Sequence, residues 1–78
     1  MFIEIYDIIT DKTLFINTDL ILSVDTGRTE CFIKMVSGEE YSVIPKQFED
    51  SLDRIGDPKY NRIIKRLERM QREARKDG

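Results

Sequence analysis

The chain has 78 residues and a formal charge of −2, with no histidine and a single cysteine. This length fits one small domain over residues 1–78, and the residue types exclude histidine-based catalysis, a disulfide framework and a structural zinc site. We therefore expect no cofactor. Acidic residues near the N-terminus and the lack of an apolar run of ~20 residues predict a cytoplasmic protein without a signal peptide or membrane span.

The first 45 residues predict an antiparallel β-meander or small open barrel of about five strands. Short runs rich in β-branched and aromatic residues are separated by polar or glycine-containing turns, as is typical of strands in such sheets. The runs cover residues 2–9, 13–17, 20–25, 31–36 and 41–44. Together with the helical segments that follow, they predict an α+β fold.

Alternation within these runs predicts which side chains face the core. The third run places Leu20, Leu22 and Val24 on one face, which we expect to point inward. The fourth run places Cys31 on an apolar face, which indicates a small core residue rather than a nucleophile. Gly38 marks a tight hairpin after that run.

Large apolar side chains fall on both faces of the predicted sheet. They are Phe2, Tyr6, Ile8, Phe15 and Phe32. One helix cannot cover both faces, and apolar surface left uncovered favours a protein partner.

Two helical segments follow the strands. Pro45 begins a short helix over residues 45–56, since proline suits a first helical position, and Gly56 ends it. Asp57 and Pro58 then begin a second helix over residues 57–76, as N-cap acceptor and first helical residue.

The second helix has an apolar stripe with the spacing of a coiled-coil seam. Intervals of three and four residues separate its members, which are Tyr60, Ile63, Leu67, Met70 and Ala74. Arginines dominate the opposite side of the helix: Arg62, Arg66, Arg69 and Arg72. An isolated helix of this length is marginally stable in water, so its apolar stripe must pack on something.

Charge divides sharply along the chain. Residues 1–57 contain five basic and twelve acidic residues, a formal charge of −7, whereas residues 58–78 contain eight basic and three acidic residues, a charge of +5. Such asymmetry indicates an interaction segment, or two surfaces that attract each other.

Three uses of the second helix are open at this point. It packs on the sheet of its own chain, or it pairs with a second copy or another protein, a dimer being favoured. In the third, its arginines contact the phosphates of a nucleic acid. No helix-turn-helix, RNP or zinc-finger pattern accompanies the arginines.

Catalytic motifs are absent from the sequence. It has no nucleophile elbow and no glycine-rich phosphate loop. Its clustered carboxylates are explained by a hairpin rim and a solvated helix face. We therefore expect neither an enzyme nor a small-molecule substrate.

The segments LFINTDLILSV and FIKMVSGEEYSV, followed by a short helix, resemble small flagellar accessory proteins of the FlbD/SwrD type. The matching residues are Phe15, Asn17, Asp19, Leu20, Ile21, Gly38, Tyr41 and Val43. The last three strands also resemble the middle of a LytTR-type DNA-binding domain. The likeness covers residues 1–55 and leaves out the basic helix. It implies a non-enzymatic accessory protein of bacterial or phage origin.

These patterns predict a non-catalytic interaction module that self-associates through the apolar face of its C-terminal helix and through its sheet. The predicted apolar contacts are Tyr60, Ile63, Leu67 and Met70. The predicted electrostatic contacts are Arg62, Arg66, Arg69 and Arg72. The alternative is a small nucleic-acid-binding accessory protein that uses the same arginines.

Overall fold

The computed structural model describes the main chain of residues 1–27 and 29–76 and, within these ranges, the side chains up to residue 73. It has the predicted α+β fold, in which five antiparallel strands precede two helices. The strands are β1 (Phe2–Asp7), β2 (Lys12–Asn17), β3 (Ile21–Thr26), β4 (Cys31–Met35) and β5 (Glu40–Val43). The helices are α1 (Pro45–Ile55) and α2 (Asn61–Lys76).

The strands form two small sheets rather than one continuous meander. β1 pairs with β2, and a separate sheet has the order β3-β4-β5. Over the described residues the strands do not close into a barrel. The two sheets meet at Ser42, whose carbonyl accepts a hydrogen bond from the main-chain N–H of Ile8 (2.8 Å). The N–H of Ser42 in turn donates to Oδ1 of Asp7 (3.1 Å).

The predicted inward face of the third strand is wrong for two of its three residues. Leu20 precedes β3 in a 3₁₀ turn and is exposed, Leu22 is 60 % exposed, and Val24 alone points into the core. The cause is a β-bulge between Ile21 and Ser23, whose partners are consecutive residues of β4. The extra residue reverses the alternation of faces beyond it.

The prediction for the fourth strand is confirmed. Cys31, Ile33 and Met35 are all buried, and the residues between them are exposed. Gly38 forms the hairpin that follows, with a φ of 96° that suits a residue without a Cβ atom. Its N–H donates to the carbonyl of Met35 (2.9 Å), which closes the turn.

The first helix has the predicted start and end. Pro45 lies in its first turn, and Gly56 ends it in the left-handed conformation with a φ of 69°. The hydroxyl of Ser51 donates to the carbonyl of Glu4 on β1 (3.1 Å), which holds α1 against that strand. Over the described residues, neither helix is long and apolar enough to cross a lipid bilayer.

All five strands and both helical segments contribute to one apolar core. Its members are Ile3, Ile5, Ile16, Val24, Cys31, Ile33, Met35, Val43, Phe48, Leu52, Tyr60 and Leu67. Each side chain of this size that is removed from water contributes about 1.5–3 kcal/mol before the cost of chain ordering. The helices supply Phe48, Leu52, Tyr60 and Leu67, so the core is incomplete without them.

A buried carboxylate lies where the two sheets meet. Asp7 is 3 % exposed and accepts hydrogen bonds from the hydroxyl of Thr10 (2.7 Å) and the N–H of Ser42 (3.1 Å). Burial by itself raises the pKa of Asp7, but hydrogen bonds from Thr10, Ser42 and Ile9 outweigh it and lower the pKa from its ordinary value. The fold therefore favours the ionised carboxylate.

We expect Asp7→Asn to lower the free energy of unfolding by about 1–3 kcal/mol. In the wild type each carboxylate oxygen accepts a hydrogen bond from one of two donors, the hydroxyl of Thr10 or the N–H of Ser42. In the variant the amide keeps one acceptor oxygen, and its NH₂ group faces the other donor and cannot accept from it. Chemical denaturation at neutral pH measures the loss. Asp53→Asn on the exposed side of α1 is the matched control, expected to change stability by no more than about 0.5 kcal/mol. Equal losses in the two variants would contradict the role of Asp7.

The same carboxylate makes stability depend on pH. The pKa of Asp7 is lower in the folded chain than its ordinary value. The ionised carboxylate therefore contributes fully to the free energy of unfolding at a pH above the pKa of the unfolded chain. This contribution is lost as the pH falls through the pKa of the folded chain. The unfolding free energy of the wild type should therefore drop on acidification below the ordinary value of 3.8. The drop should be smaller in Asp7→Asn.

Candidate functional site

The C-terminal helix begins with the predicted capping residues. The carboxylate of Asp57 accepts a hydrogen bond from the N–H of Lys59 (3.1 Å), and Pro58 opens a 3₁₀ turn, Pro58–Tyr60. α2 itself starts at Asn61, one turn later than predicted.

The apolar stripe of α2 packs inside its own chain. Tyr60 and Leu67 belong to the core, and Leu67 is 0 % exposed. Met70 is also buried, and Ile63 is half-buried against the core. Ala74 lies outside the described side chains. Of the three uses considered for this helix, packing on its own chain is the one that the described part of the stripe shows, through Tyr60, Leu67 and Met70.

Polar contacts hold α2 at two points along its length. Near its start, the hydroxyl of Tyr60 hydrogen-bonds with the hydroxyl of Thr18 (2.5 Å). Further along, the side-chain amide of Gln71 donates to the carboxylate of Glu49 on α1 (3.0 Å). The position of α2 therefore depends on two segments that are far apart in the sequence.

The four predicted arginines are exposed, but they do not form one group. One surface cleft of about 350 Å³ is lined by three of them and two neighbours: Asn61, Arg62, Lys65, Arg66 and Arg69. Arg72 lies in a separate hollow beside Glu49, Glu68 and Gln71. The structure therefore brings three of the four arginines together and places Arg72 near a carboxylate of α1.

The ion pairs of the described residues do not involve these arginines. Within the described side chains, no carboxylate lies within the ion-pair distance of 4.0 Å from any of the four. Instead, Nζ of Lys59 lies 3.1 Å from Oδ1 of Asp19, and Nζ of Lys46 lies 3.2 Å from Oδ1 of Asp50. Among the described side chains, the ion pair between residues 58–78 and residues 1–57 is thus made by Lys59, and the four arginines are exposed.

Two phenylalanines are exposed on the outer face of β1 and β2. Phe2 and Phe15 are 68 % and 70 % exposed. Phe2 pairs with Asn17, two residues after Phe15, so the two rings occupy diagonal positions on one face. This pair forms an apolar patch that the helices on the inner side cannot cover. Two further side chains of the predicted leftover surface, Ile8 and Phe32, are also exposed, and Tyr6 is half-buried.

The second sheet also exposes large apolar side chains. They are Leu20, Leu22, Phe32 and Val36. The N–H of Val36 donates to the carbonyl of Leu20 (2.9 Å), which brings those two residues together. Sequence reasoning missed Leu22 because the bulge carries no glycine or proline signal. Val36 could have been found, because alternation from Cys31 places it on the outer face.

Cys31 has no exposed surface, as predicted. Burial raises the pKa of its thiol to about 11, while the positive charge of Arg66 lowers the pKa by a smaller amount and the negative charge of Asp25 raises it. The sulfur is therefore protonated at neutral pH, and its role is to fill space in the core.

Comparisons of this chain with protein-family models, curated protein sequences and solved structures give no match. The resemblance to flagellar accessory proteins therefore stays a prediction.

We expect Leu67→Asp to unfold the chain, because it places a carboxylate in a fully buried apolar position. Truncation of a core leucine to alanine already costs about 2–5 kcal/mol, and a charge costs more. Circular dichroism and thermal denaturation measure the effect. Lys65→Asp is the control, since it introduces the same group on the exposed side of α2 and should leave the protein folded. A folded Leu67→Asp variant would show that α2 does not complete the core.

Proposed function

We propose that this protein is a non-catalytic, cytoplasmic interaction module that forms a homo-oligomer, most simply a dimer, through the outer apolar faces of its sheets. The observation that carries the proposal is the exposure of Phe2 and Phe15 on one face. Burial of two aromatic rings against a partner removes a large apolar area from water. Tyr60, Leu67 and Met70 are already buried in the chain itself, so we assign this contact to the sheet rather than to the helix.

A second copy suits this patch for a physical reason. In a two-fold dimer the same surface meets itself, and an apolar patch is self-complementary whereas a charged one is not. The direct cross-strand partners of the two rings are Asn17 and Glu4, which would lie at a polar rim around the aromatic centre. The resemblance to flagellar accessory proteins supports a non-enzymatic accessory role of bacterial or phage origin.

The arginines of α2 have a separate role in this proposal. Arg62, Arg66 and Arg69 line one exposed cleft and lack ion-pair partners among the described side chains. A positive cleft on a chain whose other segment is acidic attracts acidic surfaces and raises the rate of encounter.

We expect the wild type to be larger than its 9.2 kDa monomer at high micromolar concentration, and the double substitution Phe2→Ser with Phe15→Ser to be monomeric and folded. The rings are exposed, so their loss removes the contact without opening the core. Light scattering measures mass and circular dichroism measures folding. Ile9→Ser, which removes an exposed apolar side chain from the turn after β1, is the control and should still associate. A monomeric wild type would falsify the proposal.

The second candidate function is nucleic-acid binding. It is favoured by the convergence of three arginines on one cleft, because guanidinium groups without carboxylate partners suit phosphate oxygens. The segment 1–57 is acidic and would repel a polyanion, so we rank this candidate second.

Replacement of Arg62, Arg66, Arg69 and Arg72 by glutamine separates the two candidates. If the protein binds nucleic acid, the wild type should bind duplex or single-stranded probes with a log affinity that falls linearly with log salt, and the variant should lose binding while it stays folded. We expect instead negligible binding by the wild type at physiological salt, measured by fluorescence anisotropy. Submicromolar, salt-dependent affinity that the variant lacks would establish the second candidate.

A further inference from the structure

A groove separates the start of α2 from the outer edge of β3. Its volume is about 450 Å³, similar to the space that a few amino-acid residues occupy. Its lining comes from the 3₁₀ turn before β3, from β3 and from the C-terminal helical segment, and includes Asp19, Leu22, Val24, Lys59, Ile63 and Arg66. Four consecutive residues of β3 belong to this lining, so the groove follows the strand.

The main chain of β3 has free hydrogen-bonding groups along this edge. β3 is the outermost strand of its sheet, with β4 as its neighbour on the other side. The N–H of Gly27 donates to the carbonyl of Glu30 (2.8 Å), and hydrogen-bonded pairs alternate along an antiparallel ladder. Asp25 therefore directs its main-chain groups toward β4, whereas Val24 and Thr26 direct theirs toward the free edge.

The described residues offer these groups no hydrogen-bond partner on the side away from β4. Val24 is 9 % exposed and Thr26 is partly exposed. A row of unpaired N–H and C=O groups on an edge strand is a template for pairing with another chain. An added strand would pair these groups along the edge of β3.

The walls of the groove select the side chains of such a strand. Leu22 and Ile63 are apolar and partly exposed, so they suit an apolar side chain. At one end, Asp19 is already paired with Lys59 (3.1 Å). Arg66, which also lines the arginine cleft, has no carboxylate partner among the described side chains. The charge left for a ligand is therefore positive.

We propose that this groove binds an extended acidic segment of another protein, which adds as a strand to the free edge of β3. The strand's main chain pairs with Val24 and Thr26, one apolar side chain lies against Ile63, and a carboxylate pairs with Arg66. The surface differs from the Phe2–Phe15 patch, so this binding is independent of self-association.

Other occupants fit the groove less well. A nucleic acid has no strand backbone to pair with the free N–H and C=O groups of β3. A second copy would bring two grooves of like charge together. An acidic segment satisfies both the main chain and Arg66.

The test uses two sets of blocked eight-residue peptides in which valine and threonine alternate with either acidic residues or lysine. The full chain is titrated with each set and followed by NMR. We expect the acidic set to bind and to slow hydrogen exchange at the amides of Val24 and Thr26, because an added strand covers those N–H groups. The lysine set should not bind.

Two variants and one control locate the site. Thr26→Pro removes an edge N–H that lies outside the β3–β4 ladder, so it should leave the protein folded and abolish binding. Arg66→Gln should weaken binding about tenfold, which corresponds to about 1.4 kcal/mol. Arg72→Gln, on the same helix but in a separate hollow, should bind as the wild type does.

Several results would overturn the proposal. They are equal binding of both peptide sets, binding without protection of Val24 and Thr26, and unchanged binding by folded Thr26→Pro. Failure of every acidic peptide to bind would also reject it. A fall in oligomeric mass caused by Thr26→Pro would assign the edge to a second copy instead. None of these results depends on the Phe2–Phe15 patch, because that patch lies on the other sheet.

Discussion

The fold depends on the burial of helical side chains against two sheets that are too small to form a core alone. A two-stranded sheet is marginal in water, and a three-stranded one needs a covered face. The helical segments provide that cover. The residues are Phe48 and Leu52 of α1, Tyr60 in the turn before α2, and Leu67 of α2. Because Leu67 is fully buried, the apolar stripe of α2 is committed to its own chain, and the arginines on the other side of the helix are left in solvent.

This arrangement also explains which surfaces of the described chain stay uncovered. The helices lie on the inner side of the sheets, so nothing in the described chain covers the outer face that carries Phe2 and Phe15. The edge of β3 is free for a related reason: the chain passes through a 3₁₀ turn between β2 and β3, and the two strands do not pair. An apolar face binds by burial of apolar area, whereas a strand edge binds through main-chain hydrogen bonds. The proposed self-association depends on the first surface, and the proposed addition of an acidic strand depends on the second.

A buried carboxylate takes the place of a continuous ladder where the sheets meet. The carboxylate of Asp7 accepts a hydrogen bond from the N–H of Ser42, and the carbonyl of Ser42 accepts one from the N–H of Ile8. A charge so little exposed is stable only with hydrogen bonds to both oxygens, which Thr10 and Ser42 supply. This contact fixes β1 relative to β5, and thereby fixes the position of α1, which is held to β1 by Ser51.

The sequence by itself determined the elements of this protein, because local signals encode them. Pro45, Gly56 and Asp57 set the helix ends, alternation from Cys31 identified the inner face of β4, and the spacing of Tyr60 and Leu67 defined the apolar side of α2. Only the tertiary structure decided what each apolar surface packs against, since one stripe suits its own sheet and a partner equally well. It also decided the bulge at Leu22 and the division of the strands into two sheets, because pairing register and hydrogen bonds between distant residues have no local signature. The partner of Asp7 at Ser42 is 35 residues away, so this buried contact exists only once the chain has folded.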